Sequence, residues 1–426
     1  MANATRTSVK PYAFIVSFGL VSMLMDTVYE GALAVQGPLL AGLGANAFVV
    51  GLVSGLGEAT ALAGRLFSGP LADRTGRYWT FAILGYAATA CAVPAMGFAG
   101  SLLGVSLLII FERFGKSLRT PSRDAMISHA AAAVGRGKGF AMHEVMDQIG
   151  AVAGPLVVSA LLSATAGDYH VALGALIIPG IAAICVLLAL RRKVPNPAVY
   201  ELEAAESAKD ETAPERTGSP DAGAQPAGTE NADRNGTRKL PRLFWHYTFA
   251  CSIMLTGVAT FGVIGYHLVS VNLADDALVP LLYAIAMAVD GLFAAITGVL
   301  YDKLGTRVLL CLPFVCAAIP FFAYTGNLAT VIVGIMLWGV SLGIQESTMR
   351  AAVADMIPLS QRATAYGLFS VFVGISSLLG GVIAGGLYTV SVPALICYSA
   401  AAEAVALVLL IGAVRRTGRA QGGTAR

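Results

Sequence analysis

The sequence predicts an all-helical membrane protein with twelve transmembrane helices in two halves of six. Apolar residues make up 56% of the 426 residues and charged residues only 12%, whereas a soluble domain is about 45–50% apolar and about 25% charged. Long apolar stretches recur along the whole chain, and the polar breaks between them alternate in basic content. Because the stretches are continuous rather than alternating, they indicate helices and exclude a membrane β-barrel.

Each apolar stretch is long enough to cross the hydrocarbon core of a bilayer, which takes roughly 20 residues in a helix. We place the spans at about 12–42, 46–70, 79–99, 102–128, 138–165, 170–190, 244–272, 277–300, 307–325, 328–356, 363–388 and 392–414. The interval between the sixth and seventh spans is rich in Pro, Ala, Gly, Glu and Asp and cannot bury a core, so we expect disorder there. The predicted organisation is an amino-terminal bundle (1–192), a disordered cytoplasmic linker (193–242) and a carboxy-terminal bundle with a short basic tail (243–426).

The basic residues predict the orientation of these spans. The breaks after the odd-numbered spans contain no Lys or Arg, while the other breaks carry residues such as Arg74, Lys138 and Lys303. Cytoplasmic loops of membrane proteins carry this excess of positive charge. We therefore expect a multi-pass protein of the cytoplasmic (inner) membrane, with both termini in the cytoplasm.

Several classes of ligand are not expected. The net charge of +3 is too small to indicate a nucleic-acid partner. The six cysteines form no CxxC pair and the five histidines no HExxH motif, so neither a metal site nor a cofactor is predicted.

One motif occurs twice, after the second span of each half. Both copies read glycine, three residues, aspartate, a basic residue, one residue and glycine, with a further basic residue close behind. Glycine permits a tight turn and close helix approach, the carboxylates can face a helix N-terminus, and the basic residues can hold the turn at the lipid headgroups. The residues are Gly69, Asp73, Arg74, Gly76 and Arg77 in the first copy and Gly298, Asp302, Lys303, Gly305 and Arg307 in the second.

This repeated motif resembles the signature loop of the major facilitator superfamily, although Tyr78 and Thr306 depart from its pattern. The resemblance implies two six-helix bundles that rock around a central cavity between inward-open and outward-open states. It also implies a conformational gate, in which Asp73 approaches residues 362–365 and Asp302 approaches residues 137–139 in the outward-open state. The alternative is that both loops are static anchors of the topology.

A second resemblance lies in the fifth span, where Gly150, Gly154 and Pro155 are similar to the antiporter motif of drug/proton exporters. Val158 and Ser159 stand where that motif has further glycines, and ordinary packing of small residues between membrane helices explains the pattern as well. Residues 24–28 also resemble the acidic first-span motif of these exporters.

Ionisable residues inside the spans should line a cavity, because exposing such a group to lipid costs a few kcal/mol. Asp26 and Glu30 share one face of the first span, and Glu112 lies near the middle of the fourth. We predict that at least one of these three carboxylates carries the coupling proton. The candidates for contact with the solute are Arg113, Lys116, Arg119, Asp147, Gln148, Asp290, Gln345 and Glu346.

The sequence thus predicts a monomeric secondary transporter that exports a small solute in exchange for protons. One alternative is a proton-coupled symporter that imports an organic anion, which the basic fourth span favours. Another is an integral membrane enzyme, but the sequence contains no clustered catalytic motif. It also contains no P-loop for ATP-driven transport.

Overall fold

The structure, a computed structural model, describes residues 9–201, 240–358 and 361–422. Its regular secondary structure is helical in all three of these ranges, without a β-strand. Apolar composition favours helices here because a helix satisfies all of its backbone hydrogen bonds internally.

Between residues 9 and 193 the structure contains eight helices, and each predicted span corresponds to one helix or to two in series. Asn46 and Ser101 cap two of them, with side-chain oxygens that accept hydrogen bonds from the backbone N–H groups of Val49 and Gly104. The helices are α1 (Pro11–Gly42), α2 (Ala47–Ala63), α3 (Arg65–Thr75), α4 (Tyr78–Phe98), α5 (Leu102–Val134), α6 (Arg136–Ala164), α7 (Tyr169–Gly174) and α8 (Ile177–Lys193).

Within residues 240–358 and 361–422 the second half also contains eight α-helices, with a 3₁₀ segment at Gly305–Cys311 and a π-helical turn at Gln345–Met349. The helices are α9 (Arg242–Thr256), α10 (Phe261–Ser270), α11 (Leu278–Leu304), α12 (Leu312–Ala323), α13 (Leu328–Ile344), α14 (Arg350–Met356), α15 (Arg362–Val390) and α16 (Val392–Gly422).

Among the described residues, ten helical stretches are long and apolar enough to cross a membrane. Helix α5 is not one of them, because its charged side chains are too closely spaced. The residues Leu278–Ala323 count as a single stretch of 46 residues, although the 3₁₀ segment divides them. The all-helical membrane fold is therefore confirmed, while the count of twelve spans stays a prediction.

Three pairs of helices make the most extensive contacts between the two halves: α1 with α10, α2 with α15, and α6 with α11. Within the first half, α1 packs on α6 and α8, and α4 packs on α5; within the second, α9 packs on α16 and α13 on α11 and α12. One buried apolar cluster lies entirely within residues 14–200 and another within residues 244–413. Each half thus has a core of its own, and a third cluster spans the contact between them.

The start of the predicted linker is packed against the first half. Trp79 Nε1 donates a hydrogen bond of 3.1 Å to the carbonyl oxygen of Pro195. Tyr200 is fully buried, and its hydroxyl donates to the carbonyl oxygen of Val9 at 2.9 Å. Residues 194–201 differ from the rest of the interval because Val194 and Tyr200 supply large apolar side chains. The expected disorder of residues 202–239 concerns a segment outside the described residues.

The two repeated loops make their turns at the last glycine of each motif. Gly76 has φ 64° and Gly305 has φ 60°, a left-handed conformation that favours glycine. Gly69 lies within α3 and Gly298 within α11, so the motif begins on a helix and only its end forms the turn.

Candidate functional site

A cavity of about 1330 Å³ lies between the two halves. Its walls are formed by α1, α2, α5 and α6 on one side and by α9, α11, α13 and α15 on the other. The lining extends to Arg65, Arg123, Ala141 and Arg350, which lie toward the helix ends that carry the basic breaks. The cavity therefore opens toward the side that the sequence predicts to be cytoplasmic.

The opposite end of the cavity is closed by close backbone contacts. A Cβ atom at Gly37 of α1 would lie 2.2 Å from the carbonyl oxygen of Gly262 in α10. A Cβ atom at Gly51 of α2 would lie 2.1 Å from the carbonyl oxygen of Gly381 in α15. Only glycine permits helices to approach this closely, so the two halves meet here without space for a solute.

On the first half, α5 directs most of its basic side chains to carboxylate partners. Arg113, which is buried, forms an ion pair of 3.0 Å with Glu58 of α2 and donates to the hydroxyl of Tyr29. Arg123 forms ion pairs with Asp124 at 2.9 Å and with Asp147 of α6 at 3.2 Å. These pairs link α5 to its neighbours. The long Arg113 side chain crosses from α5 to reach Glu58 on α2.

Glu112 lies apart from the other two predicted coupling carboxylates. It accepts a hydrogen bond from Thr89 at 3.1 Å, and its oxygens lie 3.7 Å from both Arg113 and Arg119. It is buried and does not line the main cavity. The predicted placement of Glu112 in one cavity with Asp26 and Glu30 is therefore wrong, because α5 turns this face toward α4.

Asp26 and Glu30 do line the cavity, together with Lys116. Glu30 accepts a hydrogen bond of 2.7 Å from the hydroxyl of Tyr283, which belongs to α11 of the other half. Asp26 makes no hydrogen bond or ion pair with a described residue. The ammonium nitrogen of Lys116 lies 3.8 Å from the centroid of the Tyr29 ring, a cation–π contact.

The second half contributes an acidic and amide-rich wall. Asp290 of α11 is buried, and its Oδ2 accepts a hydrogen bond of 3.4 Å from Gln148 Nε2 of α6. Asp290 Oδ1, Gln148 Oε1 and Gln345 Nε2 are buried without a hydrogen-bond partner. Glu346 also lines the cavity and is exposed to it. The predicted solute-contacting residues thus surround one cavity from both halves.

Aromatic residues were not among the predicted site residues, yet five of them line the cavity: Phe369 on α15 and four more on α1, α10, α11 and α13. The rings of Phe261 and Tyr283 lie 4.5 Å apart in an edge-to-face contact, and Trp338 Nε1 donates to the carbonyl oxygen of Ala259. Tyr29 completes the set. In the sequence, Tyr29 lies between Asp26 and Glu30, and this position could have indicated that it lines the cavity. The other aromatic residues show no distinctive spacing.

The glycines of the antiporter-like motif bring α6 against α1 beside the cavity carboxylates. A Cβ atom at Gly150 would lie 2.3 Å from the carbonyl oxygen of Met23, and one at Gly154 would lie 2.3 Å from that of Thr27. The contact lies next to Asp26, whose Cβ is 3.1 Å from the same position at Gly150. The motif therefore holds α6 in close contact with α1, the helix that carries Asp26 and Glu30.

Comparison with known proteins identifies the family. The family model described as Major Facilitator Superfamily matches residues 15–289 and 249–426. An uncharacterised protein of Mycobacterium tuberculosis is 43% identical over 408 residues, covering 96% of this chain and 94% of that protein. An uncharacterised MFS-type transporter of Methanocaldococcus jannaschii is 25% identical over 405 residues, covering 92% and 93%.

Solved structures share the fold at low sequence identity. A nucleoside transporter has a TM-score of 0.69 at 12% identity, covering 94% of this chain and 99% of that one. A bacterial homologue of the human lysosomal transporter Spinster, in an inward-facing and unoccupied conformation, has a TM-score of 0.66 at 16% identity and covers 96% of both chains. The protein is a secondary transporter of small solutes rather than an enzyme, and it belongs to the Major Facilitator Superfamily.

Proposed function

We propose that the protein exports a small solute from the cytoplasm in exchange for protons, with Asp26 and Glu30 as the coupling carboxylates. The observation that carries this proposal is the hydrogen bond between Glu30 and Tyr283. It joins a carboxylate of one half to a side chain of the other, so the two halves cannot separate here without changing the environment of Glu30.

The exchange cycle follows from this contact. With the cavity open to the cytoplasm, where protons are scarcer, Asp26 and Glu30 release their protons and Glu30 accepts from Tyr283. A solute then binds from the cytoplasm. When the halves rock outward, the Glu30 contact to Tyr283 breaks, the carboxylates take up protons from the external side and the solute leaves. Lys116 stabilises the charged carboxylates in the inward-open state by proximity within the same cavity.

Asp73 and Asp302 are the proposed gate. In the open-to-cytoplasm state, Asp73 is exposed and accepts a hydrogen bond of 3.0 Å from its neighbour Tyr78. This leaves its carboxylate available to face the start of α15 when the cytoplasmic side closes, and Asp302 would face the start of α6 in the same way. The basic residues of both loops would remain at the headgroups.

The proposed orientation in the cytoplasmic membrane places both termini in the cytoplasm. After removal of the native cysteines, single cysteines at Asn46 and Asp275 should react with an impermeant thiol reagent added to intact cells. A cysteine at Gly218 should react only after the membrane is permeabilised. Labelling of the Gly218 position in intact cells would reverse the orientation.

Everted membrane vesicles test the transport direction and the coupling together. Respiration acidifies their interior, which corresponds to the external side, and a pH-sensitive dye reports the gradient. Adding the small-molecule fraction of a cell extract should dissipate this gradient in vesicles with the wild-type protein. Vesicles with Asp26→Asn plus Glu30→Gln should keep the gradient, as should vesicles without the protein.

The alternative function, import of an organic anion with protons, gives the opposite pattern. A symporter would dissipate the gradient only when the extract is loaded inside the vesicles, because solute and proton then leave together. Equal dissipation by the wild type and the double variant would remove Asp26 and Glu30 from the coupling mechanism.

A further inference from the structure

We infer that Asp290 and Gln148 form the binding site for a protonated amine of the transported solute, so that the solute is an organic cation with N–H donors. The inference rests on the proposed transport function and names the class of solute at the same cavity. It begins from unsatisfied hydrogen-bonding groups, which are uncommon in buried positions and call for an explanation.

Two acceptors at this place lack a donor. Asp290 is only 3% exposed, and its Oδ1 has no hydrogen-bond partner; Gln148 Oε1 is also buried and has none. The two side chains are adjacent, since Gln148 Nε2 contacts Asp290 Oδ2 at 3.4 Å. Leaving a buried acceptor unsatisfied costs about 1–3 kcal/mol, and more for a charged group. A ligand that donates to both acceptors would remove this cost.

The surroundings favour a cation over an anion. Asp290 forms no ion pair with any described Lys or Arg, unlike Glu58 and Asp147 on the first half. Its acidic neighbours in the cavity are Glu144 on α6 and Glu346 after α13. An anionic group would meet repulsion from three carboxylates here, whereas a protonated amine would be attracted by all of them.

The same helix offers an apolar wall for the rest of the solute. Tyr283 and Met287 lie seven and three residues before Asp290 on α11, and all three line the cavity. Residues at these spacings share one helix face. An amine seated between Asp290 and Gln148 would therefore carry its apolar body along this face, toward Phe261 and Trp338.

The position of the site also links solute binding to the movement of the two halves relative to each other. Gln148 belongs to the first half and Asp290 to the second, on the helix pair α6 and α11 that joins them. A ligand held by both residues contacts both bundles at once, so its affinity must differ between states that separate them. This is the property that a transported solute requires.

The test measures ligand-dependent thermal stability of the purified full-length protein. Four compounds of matched size are compared at constant ionic strength: 2-phenylethylammonium, its N,N,N-trimethyl analogue, 2-phenylethanol and 3-phenylpropionate. A ligand that binds only the folded protein raises the unfolding midpoint as its concentration rises. We expect a saturable rise of several degrees with 2-phenylethylammonium and little or no rise with the other three.

Three variants test whether the rise in the unfolding midpoint comes from binding at Asp290 and Gln148. Asp290→Asn should abolish the rise, and Gln148→Leu should reduce it while leaving the carboxylate present. Glu144→Gln is the comparison variant, since it removes one neighbouring charge from the same cavity and should weaken the rise without abolishing it. Each variant is compared with its own unfolding midpoint without ligand, so altered basal stability does not obscure the result.

The inference is overturned if the trimethyl analogue or the propionate stabilises as strongly, if Glu144→Gln loses the effect as fully as Asp290→Asn, or if 2-phenylethylammonium does not stabilise the wild type. None of these results needs a proton gradient. The vesicle experiment can therefore succeed when this one fails, and the solute class and the coupling mechanism are tested separately.

Discussion

Glu112 and Glu30 are both carboxylates in the middle of membrane helices, yet their surroundings suit them to different roles. Glu112 is buried between two arginines that are themselves buried, with Thr89 as a hydrogen-bond donor. Glu30 faces the cavity and has a single neutral donor from the opposite half. Proton exchange requires access to water and a partner that can change between states. Of these two carboxylates, only Glu30 lines the cavity and has a partner on the opposite half.

This contrast predicts opposite behaviour for two equivalent substitutions. Glu112→Gln leaves Arg113 and Arg119 without this counter-charge and should lower the unfolding free energy by about 3–5 kcal/mol, as when one member of a buried ion pair is removed. Glu30→Gln should leave the unfolding midpoint nearly unchanged but abolish gradient-driven transport. Thermal unfolding and vesicle transport of both variants measure this. A Glu112→Gln protein of normal stability would contradict the structural role.

Glu403 of α16 is a buried carboxylate outside the cavity. Neither of its oxygens has a hydrogen-bond partner among the described residues, and Oε1 lies 2.8 Å from the position a Cβ at Gly257 would occupy. Because an unsatisfied buried polar group is unfavourable, Glu403→Met should raise the unfolding free energy by about 1–3 kcal/mol. Glu58→Met is the comparison, since it breaks the Arg113 pair and should lower it. A lower midpoint for Glu403→Met would show that its carboxyl group is needed.

Residue spacing predicted some of the site and not the rest. The i, i+4 relation of Asp26 and Glu30 placed both on the cavity face of α1, because residues at that spacing share a helix face. The same reasoning failed for Glu112, since spacing does not tell which neighbour a face meets. The pairing of Arg113 with Glu58 joins residues 55 positions apart, and no local pattern reveals it.

At the scale of helices, hydropathy predicted every described span to within a few residues at most ends. It missed the interruptions within spans, such as the break between α9 and α10 and the π-helical turn at Gln345–Met349. The break between α9 and α10 is nearly as apolar as its surroundings. The turn Gln345–Met349 is more polar, but hydropathy does not distinguish a π-helical turn from an α-helical one. Both adjoin the cavity, where Thr260 and Gln345 contribute to its lining.

The close contact of α6 with α1 predicts that adding a single methyl group at Gly154 is unfavourable. Gly154→Ala would bring a Cβ to 2.3 Å from the Thr27 carbonyl oxygen, so the helices must separate, at a cost of about 1–3 kcal/mol. Gly42→Ala, also on α1, is the matched control, because no atom lies within 4 Å of its Cβ and alanine favours the helix. We expect reduced transport and a lower unfolding midpoint for the first only. Equal behaviour of the two would contradict close packing at α1.

At the scale of the whole molecule, the resemblance of the repeated motif to the superfamily's signature loop implied two bundles around a cavity, and the structure has a cavity between its halves. No sequence feature predicted which end is open. That depends on a balance of contacts between halves that are distant in sequence, such as α2 with α15.

The glycine contacts that close the cavity at the end opposite its opening can be tested by a similar substitution at Gly37. Gly37→Ala would place a Cβ 2.2 Å from the Gly262 carbonyl oxygen and should shift the population toward the outward-open state. In a cysteine-free background, a cysteine at Leu33 should then react faster with an impermeant thiol reagent added outside, by about 5–150-fold for a shift of 1–3 kcal/mol. Gly42→Ala, with no atom within 4 Å, should not change the rate. Unchanged labelling of the Gly37→Ala protein would place the closure elsewhere.

The glycine contacts at this end have a kinetic consequence. Dispersion forces between touching backbones decline steeply with distance, and a gap of 0.5–1 Å already forfeits roughly a quarter to a half of the attraction. The attraction between these glycine contacts therefore acts only at short range. Oppositely charged groups, in contrast, would still attract each other after they separate. The passage between the closed and open forms of this end should therefore be abrupt, with few intermediates, and nearly insensitive to the ionic strength of the medium outside the cell.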